Sequence, residues 1–358
     1  MRPRRKTLLI LSPGFPKDEE DSTCIPPQQQ FVKALKETYP LLTVVVLTFQ
    51  YPFFTAEYQW FGVRVIAFGG KSRGKLFRLM TWMRVWRSLL KLHREYEVIG
   101  LLSFWLGECA FVASYFAKLK KLRHYCWLLG QDAKAGNKYV KWTHPTGNEL
   151  IALSDFIVRE FKKNYAITPA NVITVGINPS LFKPIEMERN IDVLGAGSLI
   201  PLKQYPVFIE VIDSLRSAFP DMNTFICGDG PERQKLVALI NSLALENSVE
   251  LKGELPHQQV LALMQRSKVF LHTSAYEGFG AVCLEALYGG AHVVSFVKPM
   301  DATIPNWHTV GSIEEMSRAV KALLSDPKLN HEAVLPYPIA DNAKKMMKLF
   351  NYSEEAID

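Results

Sequence analysis

The strongest constraint on this chain is a pattern stated twice. In the first half, short β-branched runs alternate with longer runs of 3.6-residue period: KTLLILS, QFVKALKETY, LTVVVLTF, EVIGLLSF, ECAFVASYFAKLKK, HYCWLLG and ELIALSDFIVREFKKNY. Strands that alternate with helices cannot pair as hairpins, so they imply a parallel sheet covered by helices. The rhythm breaks in VITVGINPSLFKPIEMERN, which has two prolines and a charged end, and a domain junction is expected at Ile185 to Asn190. It then restarts with IDVLGAGSLI, YPVFIEVIDSLRSAF, NTFICGDGP, ERQKLVALINSLAL, SVELKGEL, HQQVLALMQRS, KVFLHTS, GAVCLEALYGG and AHVVSFV. Single cores rarely grow past about 250 residues, and 358 residues of 48% hydrophobic content suffice for two. The expected fold class is α/β, with two Rossmann-like domains facing across a cleft that is the default ligand site. The expected divisions are 1–184, 185–335, and a terminal segment 336–358 whose helix packs back toward the first domain. Near the end, Ser312 and Glu315 form a capping box before an apolar stripe, and Pro327 follows it, which predicts a helix between them.

The formal charge is +7, which suggests an anionic partner. Its location says more. Residues 71–96, KSRGKLFRLMTWMRVWRSLLKLHREY, carry eight Lys or Arg against one Glu, a local excess equal to that of the whole chain. Leu76, Phe77, Met80, Met83 and Trp86 (or Leu90) recur there at helical steps, with Arg73, Arg78, Arg84, Arg87 and Lys91 between them. That pattern suits an anionic membrane surface, and equally a helix packed on its own domain with a solvated basic face. Nucleic acid is not an expected partner, because no RNA-binding signature accompanies the patch. No run approaches the roughly 20 apolar residues that span a bilayer, and the apolar run after MRPRRK is short for a signal peptide. Five scattered cysteines without a C-x-x-C pair fit a reducing compartment and no structural metal. The expected location is cytoplasmic, peripheral at the inner face of the membrane.

Three loops of the second half fall at the carboxyl ends of predicted strands: Gly195 to Lys203, Gly228 to Pro231, and Glu277 to Gly280. Glycines there let backbone amides approach a ligand, the following helix N-terminus favours phosphate, and Lys203 adds a full charge. Glu277 falls in a turn, and Glu285, eight residues on, lies two turns along the next helix in this reading. Carboxylates so spaced grip two parts of an extended ligand rather than share a proton, and they accept hydrogen bonds from vicinal hydroxyls of a sugar or ribose. His272, alternating with apolar residues in FLHTS, reads as a satisfied strand histidine, and Asp18 to Asp21 as a solvated, mobile loop.

The G-S-L-x-P-x-K strip ending at Lys203, the G-D-G-P at 228–231, and the E-x7-E from Glu277 to Glu285 together resemble the donor domain of the retaining glycosyltransferases of family 4, which have the GT-B fold. The resemblance covers about Val193 to Phe296. It implies transfer of a sugar, with retained configuration, from a nucleotide sugar to a hydroxyl of a glycan or lipid-linked acceptor. It needs neither metal nor cofactor. Lys203 would neutralise the leaving diphosphate, Glu277 contact the transferred sugar, and Glu285 hold the ribose. Ser198, Gly228, Gly230, Gly278, Phe279 and Gly280 would complete the donor site. On the acceptor side the resemblance points to Gly14, Gln131 and Asp132, the last as a catalytic candidate. The chain departs from the family at three places. Many members carry arginine at the position of Ser198, commonly a histidine where GQDAKAGN stands, and a Gly-Gly loop where VKPMDATIPNW follows the E-x7-E helix. The rival functions are a nucleotide-sugar epimerase, or a non-catalytic sugar-nucleotide or membrane-binding module of the same fold. Without a G-x-G-x-x-G, a nicotinamide dehydrogenase is disfavoured.

Overall fold

A computed structural model describes residues 4–183 and 188–354. The chain divides into two compact units, 1–176 with 339–358, and 177–338.

The first unit contains β1 (Lys6–Gly14), α1 (Pro26–Thr38), β2 (Thr43–Tyr51), β3 (Thr55–Trp60), β4 (Val63–Phe68), α2 (Lys75–Glu95), β5 (Glu97–Phe104), α3 (Glu108–Lys120), β6 (His124–Leu128), α4 (Lys138–Thr143), β7 (Leu150–Ala152), α5 (Asp155–Tyr165) and β8 (Asn171–Val172). Its sheet runs β3-β4-β2-β1-β5-β6-β7-β8. Every pairing is parallel except that of β3 with β4. That antiparallel edge hairpin is absent from the sequence expectation. Its strand β3 alternates exposed and half-buried residues, and so lacks the continuous apolar run that marks the inner strands. β1 and β2, buried along most of their length, show such runs.

The second unit contains β9 (Ile191–Ala196), α6 (Tyr205–Leu215), β10 (Thr224–Cys227), α7 (Arg233–Ser242), β11 (Val249–Gly253), α8 (His257–Gln265), β12 (Ser267–His272), α9 (Ala281–Tyr288), β13 (His292–Ser295), β14 (Trp307–Thr309) and α10 (Ile313–Leu324). The order β11-β10-β9-β12-β13-β14 is parallel throughout. It is the doubly wound Rossmann order, in which the winding direction reverses between β9 and β12 and opens a crevice at the carboxyl ends of those strands. Ser312 caps α10 by accepting from Glu315 N at 3.2 Å. The reciprocal arm of the expected box shifts by one residue, since the Glu315 carboxylate takes Gly311 N at 2.7 Å.

The boundary falls earlier than the polar stretch suggests. Ile177 N donates to Tyr337 O at 2.9 Å, and the Phe182 ring meets that of Tyr288 at 4.7 Å, so the second unit claims this apolar segment. Of the expected junction, Ile185 to Met187 lie outside the described residues. Arg189 is no solvated linker residue: its guanidinium donates to Ser267 O and Gly289 O, at 2.5 and 2.6 Å. After α10 the chain returns to the first unit as α11 (Ile339–Leu349), which packs on α1. Asn342 Nδ2 donates to Thr174 O at 2.8 Å, and Tyr125 OH to Leu349 O at 3.0 Å.

Candidate functional site

The loops that follow β9 and β12 flank the crevice of the second unit, and they are laced together. Ala275 N donates to Leu202 O at 3.0 Å and Thr273 Oγ1 to Lys203 O at 2.7 Å. This lacing brings Lys203 of the first loop against Glu277 of the second, where the ammonium and the carboxylate form an ion pair, each side chain about a fifth exposed. Glu277 Oε1 also accepts from Ser274 Oγ at 3.1 Å and lies 3.5 Å from His272 Nε2. Burial alone would raise the Glu277 carboxyl, but His272 and Lys203 outweigh it and bring it to about 2. Glu277 is therefore an anion at neutral pH, an acceptor of hydrogen bonds and not a source of protons. His272 is buried at the end of β12, and burial lowers its imidazole's basicity. Its Nε2 faces Ser274 and Glu277, whereas Nδ1 has no hydrogen-bond partner. The sequence reading of a satisfied strand histidine is corrected: apolar alternation marked its burial but not its neighbour.

The remaining donor-side residues surround this pair in different ways. Gly228 and Gly230 have φ of 142° and 159°. A Cβ on either would stand 2.0 or 2.5 Å from the carbonyl oxygens of Gly197 and Leu199. Both glycines therefore serve first to press the β10 loop onto the β9 loop. Ser198 is exposed on the loop after β9. Phe279 is 1% exposed and packs against Trp307 and Tyr337. Its ring anchors the loop, leaving backbone as the part that can meet a ligand. Gly280, at φ 87°, is the N-cap of α9.

Because α9 begins only at Ala281, Glu285 lies just over one turn into the helix, not two. Its Oε1 receives His257 Nε2 at 2.8 Å, across from the first residue of α8. That hydrogen bond raises His257's basicity. Neither His257 nor Arg233, whose buried Nη1 has no partner beside the end of β11, was expected from the sequence. A histidine directly after Pro256, at the start of a helical run, was the available signal for the first.

In the first unit, Gly14 ends β1, and Gln131 is exposed on the turn after β6. Asp132 differs from both. It is 7% exposed, and its carboxylate accepts from the amides of Leu106, Gly130 and Leu129 at 2.9, 2.9 and 3.1 Å. Asn137 Nδ2 extends the knot to Leu106 O and Asp132 O. Burial raises the Asp132 carboxyl to about 6, against the opposing pull of those amides. This geometry ties two loops together through Asp132, whose carboxylate accepts from the main chain on both sides. The Asp18 to Asp21 loop is likewise folded: Asp21 accepts from Tyr51 OH at 2.7 Å, and Asp18 from the amides of Glu20 and Asp21.

The two sheets, one parallel but for its edge hairpin and one parallel throughout, match solved structures of the GT-B class. HepE of Anabaena, solved with UDP and glucose, superposes with a TM-score of 0.69 at 16% identity, over 98% of this chain and 100% of that one. TarM of S. aureus, solved with fondaparinux, α-GlcNAc-glycerol and UDP, gives 0.62 at 18% identity, over 77% and 59%. Residues 179–334, within the second unit, match the model of the glycosyl transferases group 1. The gpi3 component of the Schizosaccharomyces pombe phosphatidylinositol N-acetylglucosaminyltransferase is 29% identical over 164 residues, covering 44% of this chain and 36% of its own length. A component of the same enzyme from Arabidopsis thaliana is 24% identical over 230 residues, covering 62% and 50%. The chain spans half or less of the length of the curated relatives it matches.

Proposed function

We propose that the chain is a retaining glycosyltransferase of family 4 that moves a sugar from a nucleotide-sugar donor to a hydroxyl of a glycan or lipid-linked acceptor. The convergence of Lys203 and Glu277 from the two loops beside the crevice carries this reading. In it the diphosphate takes a share of the Lys203 ammonium, and Glu277, ionised and released from its partner, accepts from hydroxyls of the sugar. Lys203, loop amides and the start of α9 offset charge on the departing diphosphate, so the reaction needs no metal. Glu285 receives the ribose hydroxyls while His257 holds its other side. The relatives' names favour N-acetylglucosamine as the first sugar to try.

The test is incubation with UDP-N-acetylglucosamine and related donors, with and without EDTA, followed by NMR of the products. Nucleotide release that survives chelation, and a product of retained anomeric configuration, are expected. An isomerised but intact nucleotide sugar makes the protein an epimerase. Donor that binds and is never consumed, with any acceptor, makes it a binding module.

A further inference from the structure

The long basic helix α2 divides into two halves. Its carboxyl-terminal half is anchored: Val85, Leu89 and Leu92 are buried in the core of the first unit, and Trp82, Trp86 and Leu90 pack against it. The buried stripe is Thr81, Val85, Leu89 and Leu92, offset from the one the sequence suggested. Projected one step toward the N-terminus, that stripe reaches Phe77, which has no core left to meet and is 51% exposed. Around it Leu76 is 70% exposed, and Leu79, Met80 and Met83 are 46–50% exposed. Residues at these offsets wrap much of the helix's circumference, so the first two turns form an apolar cap.

The cap stands at the carboxyl edge of the sheet, the edge that also carries Gly14, Gln131 and Asp132. The loop joining β2 to β3 adds Phe53 and Phe54, exposed by 58% and 47%, next to the loop that leads into α2. Arg87 follows Met83 at a four-residue step, on the same side and one turn further along, whereas Arg84 turns back onto the domain and donates to Phe68 O and Thr55 Oγ1 at 3.3 and 3.1 Å. The Arg73 guanidinium lies 5.4 Å from the Phe77 ring. Glu108, at the start of α3, is already engaged: it accepts from Trp82 Nε1 and Gln50, and Arg78 Nε lies 3.9 Å from its carboxylate.

We infer that this cap seats the first unit on an anionic lipid bilayer, and that the acceptor is therefore a membrane-borne amphiphile whose polar head is presented at the same edge. Large apolar side chains bordered by arginines match the boundary between acyl chains and anionic headgroups. A protein partner would have to supply both an apolar pocket and an acidic rim, and a second copy of this chain would oppose like charges. No helix among the described residues is long and apolar enough to cross a membrane, so surface seating is the attachment this face offers. The inference about the acceptor rests on the glycosyltransferase reading; the seating does not.

The experiment is co-sedimentation of the full chain with vesicles of phosphatidylcholine, with or without a third phosphatidylglycerol. We expect binding to the anionic vesicles at low salt and its loss in about 0.5 M salt, where the Debye length is only a few ångströms. Arg73→Gln with Arg87→Gln weakens it by roughly 25-fold, at about fivefold per basic residue. Phe77→Ser with Met80→Ser and Met83→Ser abolishes it, with melting temperature and UDP affinity unchanged because these side chains are exposed and lie outside the donor site. The idea is overturned if the wild-type chain stays in the supernatant with anionic vesicles, or if the triple-serine variant sediments as wild type. It is also overturned if sedimentation velocity shows a dimer that the triple-serine variant loses while vesicles go unbound, which assigns the face to a second copy. Loss of vesicle binding beside intact donor turnover sinks this inference alone. Vesicle binding without any donor turnover sinks the glycosyltransferase reading and leaves the seating.

Discussion

The two units build their sheets in closely related orders and then use the carboxyl edges differently. In the second unit, side chains from separate elements are brought together: Lys203 answers Glu277 from the loops after β9 and β12, and His257 at the start of α8 answers Glu285 on α9. These partners are side chains, each able to exchange its neighbour for a phosphate or a hydroxyl. On the first unit's edge the acidic residue Asp132 is answered by three backbone amides. Amides fixed in loops cannot move aside for a ligand. A carboxylate paired with a lysine is thus available for exchange in a way that one bound by the main chain is not. The same residue type is held by side chains in one unit and by the main chain in the other.

The largest expected effect breaks the pair in the second unit. Lys203→Ala should lower turnover by something on the order of 100-fold or more, as removal of a principal charge partner of a transition state does elsewhere. Steady-state kinetics at saturating donor measure it, and a loss below tenfold removes Lys203 from the chemistry. Next in size is a contrast in turnover. Asp132→Ala strands three buried amides, so it should cost about 2–4 kcal/mol of folding free energy, yet leave UDP affinity intact. Glu277→Gln removes the counter-charge of a largely buried ammonium, so it should cost stability on the order of 3 kcal/mol as well, but it should also lower turnover. Denaturant melts beside steady-state kinetics separate the two. If Asp132→Ala melts as wild type but loses turnover, Asp132 is catalytic and the comparison fails.

How far the sequence reaches follows the same division. Parallel strands such as β1, β2 and β9 are buried on both faces, and their apolar runs are visible without coordinates. β3 escaped because it is an edge strand with half its residues in water. Among the charged residues, Lys203 and Glu277 were placed correctly in loops, but their contact was not legible. It is made by the lacing of Ala275 and Thr273 to the neighbouring loop, a tertiary fact that no local pattern encodes. Asp132 was singled out for its loop, while its partners include Leu106, whose loop follows a different strand. In α2 the helical period was right and the face was wrong, because an apolar residue such as Phe77 looks the same in sequence whether or not core lies beneath it.

A smaller effect sharpens the reading of the second pair. Glu285→Ala should weaken UDP binding by about tenfold, equivalent to about 1.4 kcal/mol, because one carboxylate accepting from ribose hydroxyls is lost. Titration calorimetry with UDP, and with the corresponding nucleobase alone, tests this. Equal loss for both ligands, or none for UDP, removes the ribose assignment.

The smallest effect concerns His257 and depends on pH. The imidazole donates to Glu285 at 2.8 Å, and this hydrogen bond, outweighing burial, raises its basicity in the folded protein. A group whose folded value exceeds its unfolded one contributes stability that is fully present below the unfolded value, near 6.5 for histidine, and is lost as pH rises through the folded value. His257→Gln keeps a donor of similar reach but cannot become a cation. Wild type should therefore exceed the variant in melting temperature most clearly at pH 5.5 to 6, and the difference should shrink as the pH rises. The remaining difference is that of a neutral hydrogen bond, about 1 kcal/mol or less. UDP affinity should fall about threefold in the variant at pH 6, through looser positioning of Glu285, and Glu285→Ala should erase the effect of a further His257→Gln. A melting difference independent of pH would mean that His257 only packs. A His257→Gln effect that persists in the Glu285→Ala background would separate the two residues, and the second unit would then have one interacting charge pair at its edge instead of two.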